Sequence, residues 1–187
     1  MEELFKTINM EFKNKTIHFR LAEVTDARFI HSLRVDEKYN KHLSHVDDDI
    51  SKQESWLTEY KKREALKQEY YFIIQRNSDN LPIGTVRLYD FIEVEQSFCW
   101  GSWILNENKT KYAALESALI IYDFAFFELG YKRCHMDIRK ENLKVIDFHK
   151  RFGVNIIGET ELDLLGHYFV ADYKKIRDDI RKVIEKN

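Results

Sequence analysis

Ile104 to Gly130 reads ILNENKTKYAALESALIIYDFAFFELG. An apolar strand end gives way to a polar, basic loop and then to a nearly all-apolar helix closed by Gly130. A helix that is apolar on almost every side is a buried one, so it needs a sheet and other helices around it. Read with the strands and helices on either side, it places the chain in the α/β or α+β class. The start of the helix has a second property. The first N–H groups of any helix lack partners and the dipole leaves about half a positive charge there, so a loop of this shape suits a pyrophosphate. Such loops are usually rich in glycine, which allows positive φ and close approach of backbone to phosphate. From Leu105 to Ala114 there is none.

Working outward, Ser97 to Leu105 is the strand that feeds the loop. Before it, Tyr70 to Gln75 and Ile83 to Tyr89 are separated by NSDNLP, a spacer suited to a hairpin. Ile17 to Leu21 alternates and predicts a first strand. Thr25 and Asp26 cap a short helix through Leu33. Ser51 and Glu54 form an S-x-x-E capping box for a helix with Trp56, Leu57 and Tyr60 on one side. After the long helix come a strand from Cys134 to Ile138 and a helix from Asn142 to Phe152, stopped by Gly153. Strands at Val154 to Ile157 and Tyr168 to Ala171 follow. A last helix, from about Asp172, carries Tyr173, Ile176, Ile180 and Val183 on one face. This order predicts a mixed, mostly antiparallel twisted sheet of about seven strands flanked by helices. No linker divides it, so one domain over residues 1–187 is expected, with a ligand site at the carboxyl end of the strand before the loop.

Composition narrows the function. The 187 residues carry 30 basic and 32 acidic side chains, a formal net charge of −2, which gives no global attraction to nucleic acid or to an anionic membrane. No apolar run approaches the roughly 20 residues that cross a bilayer, and Met1 to Lys15 lacks the apolar core of a signal sequence. Cys99 and Cys134 lie in apolar runs and read as buried free thiols of a reducing compartment. His42 and His45 have no third ligand at a metal-binding spacing, so no metal is expected. A cytoplasmic protein is expected.

Three segments resemble the GNAT superfamily of acyl-CoA-dependent N-acetyltransferases. Lys109-Thr110-Lys111-Tyr112-Ala113-Ala114 resembles its pyrophosphate motif, Q/R-x-x-G-x-G/A. Ile138 to Val154, IRKENLKVIDFHKRFGV, resembles V-x-x-x-N…L-Y-E-K-L-G-F. Trp100-Gly101-Ser102-Trp103-Ile104 is similar to the G-Y-W-I strand of RimJ/RimL-type members, and the likeness runs from about Ile17 to Tyr173. It implies transfer of an acetyl group from acetyl-CoA to a primary amine by direct attack. The oxyanion would be stabilised by backbone N–H groups of the Trp100–Ile104 strand. It implies coenzyme contacts from Trp103, Ile104, Leu105, Lys109, Thr110, Lys111, Tyr112, Ala113, Ala114 and Asn142. The acceptor groove would come from the stretch RVDEKYNKHLSHVDDD, through Arg34, Asn40 and His42, although a solvated loop reads equally well. That stretch and the RLYD segment at Arg87 are similar to acetyltransferases of sugar-nucleotide or polysaccharide pathways. A small amine such as an amino-sugar nucleotide is therefore the expected acceptor. A protein N-terminus is the alternative, and a non-catalytic coenzyme A- or ligand-binding module the contrasting class. Exposed sheet edges allow a homodimer.

The chain departs from the family pattern in three places. Tyr112 stands at the first motif glycine, where strain is expected; Lys109 and Lys111 would compensate at about 1.5–3 kcal/mol per phosphate contact. His149 occupies the position of a tyrosine that protonates the departing thiolate. Residues 142, 145, 149 and 152 share one helix face, so His149 points at the sheet, either as a core histidine or as that acid. An unperturbed imidazole is about one quarter charged at pH 7. Asn142 caps its helix or holds the pantetheine arm. Finally, the central strand reads Ser97-Phe98-Cys99-Trp100 where relatives carry a glutamate base. Glu95 and Asp137 are the nearest carboxylates, and without a base low-pKa amines are favoured over lysine.

Overall fold

The computed structural model describes residues 12–186, so the reading of Met1 to Lys15 falls mostly outside the described residues. Those residues form a seven-stranded sheet in the order β1-β2-β3-β4-β5-β7-β6. The strands are β1 (Ile17–Leu21), β2 (Tyr70–Arg76), β3 (Pro82–Ile92), β4 (Ser97–Leu105), β5 (Arg133–Arg139), β6 (Asn155–Glu159) and β7 (Asp163–Phe169). Every neighbouring pair is antiparallel except β4 and β5. The helices are α1 (Ala27–Val35), α2 (Glu37–Asn40), α3 (Ile50–Ala65), α4 (Ala113–Asp123), α5 (Leu143–Arg151) and α6 (Val170–Glu185). No helix among them is long and apolar enough to cross a membrane.

Strand alternation divides the core between two faces. On β2, Tyr70, Phe72 and Ile74 join the larger cluster with Phe98, Tyr122 and Tyr168. Tyr71 and Ile73 point the other way, into a smaller cluster with Ile30, Leu57 and Tyr60 from α1 and α3. A strand covered on both faces reads as a continuous apolar run, which is what YYFII is. The long apolar helix is α4 followed by a π-helical turn over Phe124–Glu128, and Gly130 closes it at φ +81°.

Three expectations need correction. The cap of α3 is Asp49, whose carboxylate accepts from the Ser51 N–H at 2.9 Å and also takes the Ser51 hydroxyl. The strand read at Tyr168–Ala171 is β7, which begins at Asp163 and ends at Phe169, where α6 starts. Gly166 looks like a break in that run, yet a Cβ there would lie 3.0 Å from Val154 and 3.1 Å from Met136. A side chain there would have to push Val154 or Met136 aside by a few tenths of an ångström. On α6 the buried partner of Tyr173 is Ile184, while Val183 is 47% exposed. Eleven residues at 100° each return close to the starting face, and ten do not.

Candidate active site

β4 and β5 pair only at Ser97↔Arg133 and Phe98↔Cys134. Beyond that point no ladder joins them. The cause lies in β4 itself. Between Arg87↔Gly101 and Thr85↔Ile104, β4 spends three residues against two of β3, a bulge. Ser102 sits in it at φ +47°, and its carbonyl accepts from Thr85 Oγ1 at 3.1 Å. A non-glycine residue in this region costs on the order of 1–3 kcal/mol, and a bulge bends its strand away from the regular path. The result is a cleft of about 300 Å³ between the two strands. With β5 gone, the edge of β4 from Trp100 to Trp103 is turned towards the cleft.

His149 closes the cleft from α5, with Trp100 edge-on at 5.4 Å and Phe148 at 5.6 Å. It is buried, its Nδ1 has no partner, and desolvation pushes its pKa down to about 4. The expectation of a quarter-charged ring at pH 7 is thereby corrected: about one ring in a thousand is charged. The neutral ring still donates one N–H. Beside it, Trp103 lines the cleft with its indole nitrogen buried and unpartnered. Asn142 both lines the cleft and caps α5, its Oδ1 accepting from Val145 N at 3.4 Å.

The basic loop departs from expectation. Tyr112 is the N-cap of α4 at φ −106°, ψ 7°, and no residue from Asn106 to Ala114 has positive φ. The backbone path needs no glycine, so the expected strain is absent. The Tyr112 ring packs against the main core, with Lys111 Nζ 4.9 Å from its centroid, and it does not line the cleft. Ala113 N donates to Thr110 O at 3.3 Å. That leaves the N–H groups of Tyr112, Ala114 and Leu115 without an intrahelical acceptor. Lys109 and Lys111 are exposed at this end and do not join His149 in the cleft lining. Thr110 is engaged sideways, its hydroxyl 2.6 Å from that of Thr16, which in turn bonds the buried Glu116 through its N–H at 2.7 Å and its hydroxyl. Glu116 offsets part of the dipole from beneath. Ile104 is buried and Leu105, paired with Gly84, packs on the main core, so neither lines the cleft. Trp100 and Trp103 wall the cleft, and no residue of α4 or of the loop before it belongs to that lining.

On the acceptor side, Arg34 and His42 line the cleft, and His42 Nδ1 is buried without a partner. Arg34 Nη2 donates to the Ser44 carbonyl at 3.0 Å and hydroxyl at 2.9 Å. Asn40 is not brought to them: it ends α2, its carbonyl accepting from Leu43 N in the following turn, and it lines neither this cleft nor its neighbour. Of the two carboxylates, Glu95 is paired with Arg133, whereas Asp137 is exposed and lines the cleft. Asp137 lies on the sheet face opposite to Met136 and Ile138. Cys99 is buried, and desolvation pushes its thiol up to about 12, which leaves no thiolate for a covalent route at neutral pH. Sequence reasoning missed Tyr89. Its hydroxyl stands 2.9 Å from where a Cβ on Gly101 would be, and burial raises its pKa. The alternation of Arg87 with Tyr89 along β3 was the available signal.

The acetyltransferase (GNAT) domain model matches residues 16–155. A probable N-acetyltransferase, YjcK of Bacillus subtilis (strain 168), is 31% identical over 150 residues, covering 74% of this chain and 83% of its own. Among solved structures, apo FdhC, a nucleotide-linked sugar GNAT, superposes with a TM-score of 0.85 at 46% identity, over 92% of this chain and 97% of its own. Spermidine N-acetyltransferase from Vibrio cholerae, in complex with CoA and spermine, gives a TM-score of 0.73 at 18% identity, over 86% and 99%. At that identity the likeness speaks for the fold alone.

Proposed function

The chain belongs to the GNAT acetyltransferase family, and from that premise we propose that it acetylates the primary amine of a small molecule, first among them an amino-sugar nucleotide. It is an acyl-CoA-dependent acyltransferase by family. The observation that carries the finer reading is the cleft between β4 and β5, where the bulge at Ser102, His149 and Asp137 converge. The 46% identity to a nucleotide-linked sugar GNAT supports the acceptor class.

Acetyl-CoA, when bound, supplies the thioester carbon that the amine attacks. Backbone N–H groups of the freed β4 edge polarise the carbonyl oxygen. Asp137, the carboxylate in the cleft lining, takes the proton that the amine must lose before or during attack. His149 donates a hydrogen bond to the sulfur as the C–S bond breaks. With its pKa near 4 it acts as a neutral donor rather than as an imidazolium acid. Free N–H groups at the start of α4, with Lys109 and Lys111 outside them, hold the pyrophosphate. The two free cysteines support a reducing, cytoplasmic setting, and the continuous sheet supports one catalytic domain.

Calorimetric titration with coenzyme A, followed by thiol release with a panel of amines, tests the reading. An amino-sugar nucleotide should turn over faster than an N-terminal peptide, and both faster than a lysine peptide. His149→Ala should lower kcat at least tenfold with coenzyme A affinity within about twofold, since it removes a donor needed mainly in the transition state. Preference for the lysine peptide, or no coenzyme binding, refutes the proposal.

A further inference from the structure

A second cavity, of about 320 Å³, opens between α3 and the sheet and shares Arg34, Ser44 and Ser102 with the cleft. Three cations line it: Arg34, Arg87 and Lys52. Only Lys52 has a counter-charge in the lining, Asp47 at 2.6 Å. Arg87 is held by Glu69, but that single carboxylate also pairs with Arg63 at 2.7 Å. Arg34 has only the neutral oxygens of Ser44. Both guanidinium-bearing side chains line this cavity together with the buried Tyr71. The Nε of each is buried without a partner. Trp56 adds a flat wall, with the Arg87 guanidinium 5.1 Å from its ring.

Two guanidinium groups lining one cavity with less than their own charge in carboxylates repel one another and forgo hydrogen bonds. Their planar donor forks match phosphate oxygens, and a phosphate between them relieves both costs. We infer that this cavity is an anion subsite for the diphosphate of the acceptor, so that specificity for a nucleotide-linked amino sugar resides in Arg34 and Arg87. The inference rests on the acetyl-transfer reading above. Because the cavity meets the cleft at Ser102, a ligand with its phosphates on the arginines carries its sugar ring to the bulge, where the amine meets the thioester.

The intact chain should bind a nucleoside diphosphate and inorganic pyrophosphate by calorimetry, with affinity falling as salt rises. Arg34→Met and Arg87→Met should each weaken that binding at least tenfold. They should raise KM for the nucleotide-linked amino sugar at least tenfold relative to KM for the same amino sugar unlinked, with coenzyme A affinity unchanged. Arg87→Lys, which keeps the charge facing Glu69, serves if Arg87→Met fails to fold, and it should raise the same KM ratio severalfold. Absence of nucleoside diphosphate binding, or equal effects on both sugars, overturns the subsite. Nucleoside diphosphate binding without acetyl transfer to either sugar leaves the subsite standing and refutes the acetyl-transfer reading instead.

Discussion

His149 shows how one residue can be read correctly for position and wrongly for state. Its face on α5 follows from spacing, but its protonation follows from desolvation, which pushes it from the ordinary value near 6.5 to about 4. The folded chain therefore binds fewer protons than the unfolded chain between these two values, so stability rises with pH across that window. The contribution is unpenalised above about pH 6.5 and is lost progressively as pH falls towards 4. Relative to His149→Leu, the wild type should lose about 2 kcal/mol between pH 7 and pH 5, measured as the change in urea midpoint for both chains. A constant gap between them refutes burial as the cause. If Asp137 is the proton acceptor proposed above, Asp137→Asn should lower kcat/KM most on the acidic side, where the amine is protonated, and recover as pH approaches the amine's own pKa. A uniform loss at every pH would remove it as the proton acceptor.

At the scale of elements, the loop before α4 and the cap of α5 separate two uses of local chemistry. Tyr112 occupies ordinary backbone space and packs its ring on the core. Tyr112→Gly should therefore cost about 1–2 kcal/mol through lost packing and added chain entropy. It should leave coenzyme A affinity no tighter by calorimetry. Tighter binding would mean that the tyrosine obstructs the phosphates. Asn142 caps α5 while lining the cleft. Asn142→Ser should retain most of the cap, and Asn142→Ala should cost about 1 kcal/mol in thermal unfolding. If both lose coenzyme affinity alike, the side chain touches the pantetheine arm as well.

At the scale of the molecule, α6 is clasped to α4 by one carboxylate. Asp123 accepts from Tyr173 Oη at 2.7 Å, from Arg177 Nε at 2.6 Å and Nη2 at 2.9 Å, and from Arg181 Nη2 at 2.9 Å. Asp123 stands where α4 passes into its π-helical turn, and these donors satisfy both of its carboxylate oxygens. Asp123→Ala removes the counter-charge of Arg177 and Arg181 and leaves the Tyr173 hydroxyl with the Leu119 carbonyl at 3.3 Å, so unfolding free energy should fall by about 1–3 kcal/mol. Coenzyme A affinity should hold, because the start of α4 lies about 15 Å away along the helix. A parallel loss of affinity would show that α6 packing supports the phosphate end of the site.

The amino-acid sequence by itself determined the order of the strands and of every helix but the short α2, the exact span of β4, the hairpin between β2 and β3, and the helix face that carries His149. Each depends on a period of 2 or 3.6 or on a turn residue, all of which are local. Only the tertiary structure decided the rest. The separation of β4 from β5 depends on how β4 registers against β3, which turns one serine into a bulge. That Glu95 pairs with Arg133 while Asp137 lines the cleft depends on where β5 lies beside β4. Arg34, Trp56 and Arg87 meet in a single cavity although they come from three different elements. The neutral state of His149 is set by aromatic rings that exclude water from around it. Charge, solvation and convergence are properties of neighbours in space, and those neighbours lie far apart along the chain.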